Sequence, residues 1–150
     1  MTERREINFS EIQIQESLTV QEIRAMYAVI HQLRDSIDIE TFLDRVKKAS
    51  QGGYKLFYVC LDNQVVGAIG LRIQDDLCWG HNLYIDDLVV DEALRGRGIG
   101  KALMKFAVNL AHSQKCEYVR LASGISRIQA HDFYEKLEYC KTSFAFALKL

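Results

Sequence analysis

Short runs of alternating, β-branched or aromatic residues occur in six parts of the chain, and such runs predict β-strands. The six predicted strands lie at 7–16, 54–62, 64–73, 79–90, 118–122 and 142–150. Asp62 and Asn63 join the second and third of these segments. A short polar connection of this kind between two strands predicts a β-hairpin.

Four other segments carry apolar residues three and four positions apart, which predicts helices with one buried face. These segments are 19–34, 38–50, 99–113 and 126–137. Thr19 with Glu22, and Ser126 with Gln129, form the capping-box pattern that starts a helix. The predicted order is β-α-α-β-β-β-α-β-α-β, which indicates an α/β (mixed α+β) fold: one domain over 1–150 with helices flanking a mixed sheet.

Composition excludes several classes of function. The chain has 150 residues and a formal net charge of −1, which argues against a surface dedicated to nucleic acid or to a membrane. It has no apolar run of about 18 residues and no signal-peptide pattern, so we expect a cytoplasmic protein. The four cysteines show neither CxxC nor zinc-finger spacing, so neither a disulfide nor a metal site is expected.

The stretch LRGRGIGKALMK, residues 94–105, combines closely spaced glycines with cations at the start of a predicted helix. The free N–H groups of a helix start are usually capped by Ser, Thr, Asp or Asn, and here glycines stand in that place. Arg95, Arg97 and Lys101 put positive charge where the helix dipole disfavours it. A bound phosphate would accept the free N–H groups and neutralise the cations. A flexible glycine turn with solvated arginines is the alternative.

Two familiar phosphate-binding motifs do not fit the stretch. A Walker A loop would need glycine at Arg95 and serine or threonine at Ala102. A dinucleotide fingerprint would need the spacing GxGxxG, whereas Gly96, Gly98 and Gly100 give GxGxG. The sequence therefore predicts an anion site of another kind.

Arg95-x-x-Gly98-x-Gly100 matches the pattern [Q/R]xxGx[G/A] with which the GCN5-related N-acetyltransferases bind acetyl-CoA. The later segment SGISRIQAHDFYEKLEY, residues 123–139, resembles the second half of that family, where AxxFYEKxGF is common. The order of elements agrees over nearly the whole chain. It departs from the family pattern at Asp91, where proline is frequent, and at Glu138, where glycine is usual. The resemblance implies a mostly antiparallel sheet and an acetyl-CoA-dependent N-acetyltransferase.

The resemblance also implies which residues bind acetyl-CoA. The strand edge would pair with the pantetheine arm and supply an N–H group to the oxyanion, and the glycine loop would hold the pyrophosphate. Ser126 stands nearest to the position of a cofactor-binding asparagine of some members. The residues implied are Leu88, Val89, Val90, Arg95, Gly96, Arg97, Gly98, Ile99, Gly100, Lys101 and Ser126.

Direct acetyl transfer needs a proton donor for the leaving thiolate and a base for the ammonium. Tyr134 matches the tyrosine that protonates sulfur in the family, although its helical spacing also fits a core residue. Asp86 or Asp87 would act as the base or bind the substrate cation. Successive strand residues face opposite ways, so only one of the two would face the substrate unless a bulge intervenes. His81 and His131 are further candidates.

The acceptor is expected against residues 19–50, whose mixed charges name no substrate. The segment 80–91, together with the later FYEK at 133–136, is similar to amino-sugar phosphate acetyltransferases, and the segment 123–135 is similar to bacterial members that act on small amines. We therefore expect a small primary amine rather than a protein lysine or N-terminus. A non-catalytic acyl-CoA sensor and an unrelated nucleotide binder are the rival hypotheses. The apolar segment 142–150 could supply the edge of a homodimer.

Overall fold

A computed structural model describes Ile7, Ser10 and residues 12–150. The chain divides into two compact units, Met1–Arg120 and Leu121–Leu150, and each is described by itself. Part of the first predicted strand, at residues 8, 9 and 11, lies outside the described residues. In the part of the chain that the structure covers, no helix is long and apolar enough to cross a membrane.

The first unit is built on a five-stranded sheet whose order in space follows the order of the chain. The first four strands pair as successive antiparallel neighbours. The strands are β1 (Ile14–Glu16), β2 (Lys55–Leu61), β3 (Gln64–Asp76), β4 (Gly80–Val90) and β5 (Tyr118–Leu121). The predicted hairpin turn is confirmed, with Asp62 and Asn63 at φ of 50° and 61°. Two successive residues with positive φ form the type of turn that matches the twist of a hairpin.

Three helices cover one face of this sheet. They are α1 (Val20–Ala25), α2 (Tyr27–Leu33) and α3 (Ile39–Gln51). Met26, Val29 and Phe42 are buried in one cluster with Ala68 and Val89 of the sheet. The predicted helix 19–34 begins as expected, since Thr19 and Glu22 form the capping box, but it divides at Met26. The Met26 side chain is fully buried, so core packing outweighs the local helical pattern at this point.

A longer helix, α4 (Ile99–Ser113), covers the opposite face, and its bounds agree with the predicted 99–113. A Cβ at Gly67 would lie 3.0 Å from Cγ2 of Ile99 and 3.3 Å from Cδ1 of Leu103. Ala68, the next residue, faces the cluster of the first three helices instead. Because neighbouring strand residues point to opposite faces, α4 and the first three helices lie on opposite sides of the sheet.

The second unit contains one helix, α5 (Ile128–Lys136), and a C-terminal segment. Arg127 is the N-cap of α5 and no side chain caps it, so the predicted capping box of Ser126 and Gln129 is wrong. The amide of Ile128 instead bonds to the carbonyl of Ser126, which closes the turn through the backbone.

The C-terminal segment is not the strand that its alternating pattern predicts. Residues 142–150 have no regular secondary structure. Phe144, Phe146, Leu148 and Leu150 are 83%, 94%, 86% and 110% exposed. Alternation favours a strand only where a neighbouring strand supplies backbone partners, and no described residue of the chain pairs with this segment.

Candidate active site

The glycine loop leaves the end of β4 through a short turn that the sequence builds locally. The amide of Asp91 bonds to the carbonyl of Val66 at 2.8 Å, which holds the end of β4 against β3. The carboxylate of Asp91 accepts the amide of Ala93 at 3.0 Å and starts a 3₁₀ turn over Glu92–Leu94. Asp91 therefore initiates the turn at the position where the family often has proline.

The start of α4 has the free amides that the sequence predicts. Gly96 and Gly98 adopt φ of 76° and 92°, a conformation that side chains other than glycine rarely adopt. Gly98 is the N-cap of α4 and offers no side-chain cap. The first intrahelical bond runs from the amide of Ala102 to the carbonyl of Gly98. Among the described residues none accepts a hydrogen bond from the amides of Ile99, Gly100 or Lys101, so these point out of the helix end unpaired.

Positive charge gathers at this helix end. Arg95 donates from Nε to the carbonyl of Val90 at 3.3 Å, and Arg97 and Lys101 form no ion pair with any residue that the structure describes. The first turn of α4 contains no acidic residue that would balance the dipole. Free amides, positive φ and unpaired cations together fit a bound pyrophosphate.

A β-bulge in β4 brings Asp86 and Asp87 to the same face of the sheet. Asp87 pairs with Gly70 and Ile85 pairs with Leu71, so Asp86 is the additional residue. The extra residue cancels the usual alternation. Asp86 therefore meets Arg72, and Asp87 meets Tyr54, on the face covered by the first three helices, which is the exception that the sequence analysis made for a bulge.

Each carboxylate is held by an arginine. Arg72 donates from Nε and Nη2 to the two oxygens of Asp86 at 2.9 and 3.0 Å. Partial burial raises the pKa of Asp86 above its usual value, and the guanidinium of Arg72 opposes that rise. Arg34, at the C-cap of α2, donates from Nε and Nη2 to Oδ1 of Asp87 at 3.1 and 2.9 Å.

Tyr54 is a third partner of this pair, and Gly70 makes room for it. Its hydroxyl donates to Oδ2 of Asp87 at 2.7 Å. A Cβ at Gly70 would overlap the hydroxyl of Tyr54. Burial and the charge of Asp87 raise the pKa of Tyr54 well above its usual value, so it stays a neutral donor. Arg72 and Tyr54 are the residues that the sequence analysis missed, because only the register across the bulge brings them together.

The strand edge predicted to meet the cofactor continues directly from the bulge. Leu88, Val89 and Val90 pair with Ile69, Ala68 and Gly67 of β3. Val89 is buried in the core, while Leu88 and Val90 are half-buried. The edge and the glycine loop thus follow one another along the chain. The role of a main-chain amide there as the oxyanion donor stays a prediction.

Tyr134 lies in the second unit, on the last turns of α5. It is half-buried between Phe133 and Tyr139, with ring centroids 5.3 and 6.3 Å away. Burial raises the pKa of its phenol, so it is protonated at neutral pH. No residue that the structure describes bonds to its hydroxyl, which leaves the proton available to a ligand. Ser126, in the same unit, is exposed.

The two histidines have other partners. His81 contacts Asp75 through Nδ1 at 2.8 Å, five residues along β4 from Asp86. Nε2 of His131 lies 2.8 Å from the carbonyl of Gly124. Neither contact involves the carboxylate pair or the glycine loop.

Comparison with known proteins identifies the family of the chain. Residues 19–139 match the sequence profile of the acetyltransferase (GNAT) family. The chain is 31% identical to an uncharacterized N-acetyltransferase, YhdJ, of Bacillus subtilis over 80% of this chain and 86% of that protein. It is 30% identical to the aminoalkylphosphonate N-acetyltransferase of Salmonella typhimurium over 88% of each. A structure of aminoglycoside N-acetyltransferase AAC(6')-Iy in complex with CoA superposes with a TM-score of 0.80 at 13% identity, covering 93% of this chain and 94% of that one.

Proposed function

Because the chain belongs to the GNAT acetyltransferase family and is an N-acetyltransferase, we propose that it transfers acetyl from acetyl-CoA to the primary amine of a small molecule. The observation that supports acetyl-CoA as the acetyl donor is the uncapped start of α4, where Gly98 has a φ of 92° and cations surround free amides. Arg95, Arg97 and the amides from Gly96 to Lys101 would hold the pyrophosphate. Leu88 to Val90 would pair with the pantetheine arm, and Ser126 is a further residue proposed to bind the cofactor.

The carboxylate pair supplies the acceptor side of the proposal. Asp87 and Asp86 lie one and two residues before the proposed pantetheine edge, about 3–7 Å along the strand. A carboxylate at that distance would bind the ammonium of an acceptor and remove a proton from it, directly or through one water. A main-chain amide of the 88–90 edge would donate to the tetrahedral oxyanion.

The protons balance with Tyr134 as the donor to sulfur. The ammonium gives one proton to the aspartate, and its nitrogen attacks the thioester carbonyl. The intermediate then loses a second nitrogen proton to solvent and expels the thiolate, which takes the phenol proton of Tyr134. Solvent restores Tyr134 and removes the proton from aspartate, so the products are the amide, the free thiol and one released proton.

A small acceptor is supported by the names of the relatives. One relative acts on an aminoalkylphosphonate, and another, 28% identical over 73% of this chain, is a thialysine N-epsilon-acetyltransferase of Bos taurus. Both names describe small-molecule amines. We therefore propose this substrate class for the chain, and its cytoplasmic location remains a prediction.

Thermal unfolding with acetyl-CoA, CoA, ATP and NAD at equal concentrations tests the donor. A ligand at about 100 times its dissociation constant stabilises a protein by about 2.7 kcal/mol, so we expect the midpoint to rise by several degrees with acetyl-CoA and CoA only. Release of free thiol from acetyl-CoA on adding small amines then tests transfer. An equal shift with ATP or NAD, or none with CoA in protein free of carried-over CoA, would contradict the proposal.

We also propose that the chain forms a homodimer through residues 142–150. Aromatic side chains bury roughly 150–250 Å² each, so Phe144 and Phe146 alone would bury roughly 300–500 Å² per copy, to which Leu148 and Leu150 add. A standard interface buries about 800 Å² per partner. Antiparallel pairing of two copies centred on Phe146 would place Phe144 opposite Leu148 and Lys149 opposite Ser143, so no like charges meet.

The mass of the particle in solution tests the dimer. In light scattering after gel filtration, we expect the wild-type chain at twice its 17.2 kDa mass. Phe144→Asp with Phe146→Asp is expected to give the monomer, because two buried carboxylates would oppose the pairing. Leu77→Asp is the matched control, since Leu77 is 108% exposed in a turn elsewhere. A wild-type monomer, or a double variant that stays dimeric, would contradict this interface.

A further inference from the structure

Asp87 holds two kinds of hydrogen-bond donor on its two oxygens. Oδ2 accepts the hydroxyl of Tyr54, a side chain buried in the core and fitted over Gly70. Oδ1 accepts both donors from Arg34, which arrives from the end of α2 rather than from the sheet. One oxygen thus belongs to the fixed framework, and the other is occupied by a side chain that reaches in from a helix end.

The two arginines differ in how firmly they are held. Arg72 is 33% exposed, binds both oxygens of Asp86 and lies 5.9 Å from the ring centroid of Tyr54. Arg34 is 45% exposed, and its contacts are Oδ1 of Asp87 and the backbone carbonyl of Asp86. Its φ of −123° and ψ of 62° place it beyond the last helical residue of α2. Arg34 can therefore turn toward solvent without breaking the sheet or the core.

Without Arg34, the net charge of the cluster would be balanced by one monovalent cation. Asp86 and Arg72 neutralise each other, so Asp87 and Tyr54 without Arg34 form a site of net charge −1. That site offers one free carboxylate oxygen at the edge of β4 and a second oxygen fixed by a phenol. An alkylammonium matches it in charge and in hydrogen-bond donors.

We infer that Asp87 is the receptor for the ammonium group of the acceptor, and that Arg34 occupies this receptor in the free enzyme as a displaceable stand-in. The inference rests on the proposed function and separates the roles of the two aspartates. Asp87 receives the substrate cation on Oδ1, while Asp86 stays paired with Arg72 as part of the framework. Arg34 competes with the substrate for Asp87 and takes no part in the chemistry.

Nitrogen-15 NMR of the arginine side chains tests the displacement with propylammonium chloride as the probe. We expect the Nε–H signal of Arg34 to shift progressively on titration, while that of Arg72 stays in place. Sodium chloride at the same ionic strength and neutral propanol are the controls for screening and for apolar binding. In Asp87→Asn the response of Arg34 to propylammonium should be lost. An Arg34 signal that responds equally to sodium and to propylammonium would overturn the inference.

The kinetics of Arg34→Gln provide a second test, which distinguishes competition with the substrate from a purely structural role of Arg34. Removing a competitor raises the fraction of binding-competent enzyme, so KM for an amine that the enzyme acetylates should fall by about fivefold with kcat nearly unchanged. Arg34→Lys should restore most of the competition. A raised KM, or a kcat lowered by about tenfold or more, would mean that Arg34 is a structural clamp.

The two proposals fail in different ways. If acetyl-CoA does not stabilise the protein but propylammonium still displaces Arg34, the results would support the cation receptor at Asp87 and contradict acetyl transfer from acetyl-CoA. If acetyl-CoA binds and amines are acetylated while Arg34 does not move, only the stand-in role is overturned.

Discussion

Replacing Tyr134 with phenylalanine is expected to lower kcat by about 10²–10⁴-fold, the usual contribution of a positioned proton donor. The change removes one oxygen from a half-buried ring and keeps the ring itself, so packing against Phe133 and Tyr139 is retained. Affinity for CoA, measured by calorimetry, should stay within about twofold, because the loss appears only in the transition state. Thiol release from acetyl-CoA at saturating amine measures kcat.

Tyr139→Phe is the matched control for this variant. Tyr139 belongs to the same unit, and its buried hydroxyl has no hydrogen-bond partner among the described residues. Removing an unpaired buried hydroxyl relieves a desolvation cost, so this variant should be as stable as the wild type or more so, with unchanged kcat. Equal activity in Tyr134→Phe and Tyr139→Phe would assign Tyr134 to packing and would require another donor.

The raised pKa of Tyr134 predicts how the activity depends on pH. Burial raises the pKa of Tyr134 above the usual value of about 10, so the phenol remains protonated throughout the neutral and mildly alkaline range. Loss of the proton donor should therefore not lower kcat anywhere between pH 7 and 9. The alkaline loss of the donor should occur only above pH 10. A fall of kcat between pH 7 and 9 would point to a different proton donor.

Features that depend on neighbouring residues in the chain could be predicted from the sequence. The α4 helix, the Asp62-Asn63 hairpin and the capping box of Thr19 each arise from a short segment, and the structure has each of them where it was predicted. The uncapped helix start after Gly98 is of the same kind, because glycine spacing and the missing cap are visible in twelve residues. These local patterns were enough to predict the uncapped start of α4, while its role in binding phosphate stays a prediction.

Features that depend on register between distant segments could not be predicted. The bulge at Asp86 shifts the register of β4 against β3 by one residue, and no pattern within residues 79–90 predicts it. The partners of the two aspartates come from α2, from the start of β2 and from β3, so their meeting follows only from the assembled sheet. The break at Met26, whose side chain is buried in the core, and the segment 142–150, which has no partner strand among the described residues, also depend on distant parts of the chain.

Reversing the charges of Arg95 and Arg97 to glutamate is expected to weaken the binding of CoA by about 100-fold or more. Hydrogen bonds to charged groups contribute about 1.5–3 kcal/mol each, so the loss of two exceeds the roughly 2.8 kcal/mol that corresponds to 100-fold. Repulsion between the new carboxylates and the pyrophosphate adds to this loss. Affinity for CoA measured by calorimetry is the readout, and the wild-type affinity should also fall as salt is raised.

Lys105→Glu is the control that separates local binding from general charge. Lys105 is exposed on α4 one turn beyond Lys101, so its reversal changes the net charge without reaching the free amides of the helix start. The affinity of this control for CoA should stay within about threefold of the wild type, because salt screens a charge that lies about one Debye length, 10 Å, from the ligand.

The double variant of Arg95 and Arg97 should also unfold at a similar or higher temperature without ligand, since glutamates near a helix start interact favourably with its dipole. If the stability is retained while the affinity for CoA is lost, these arginines bind the ligand and are not needed for the fold. An unchanged affinity for CoA would contradict the proposal that this loop binds the pyrophosphate.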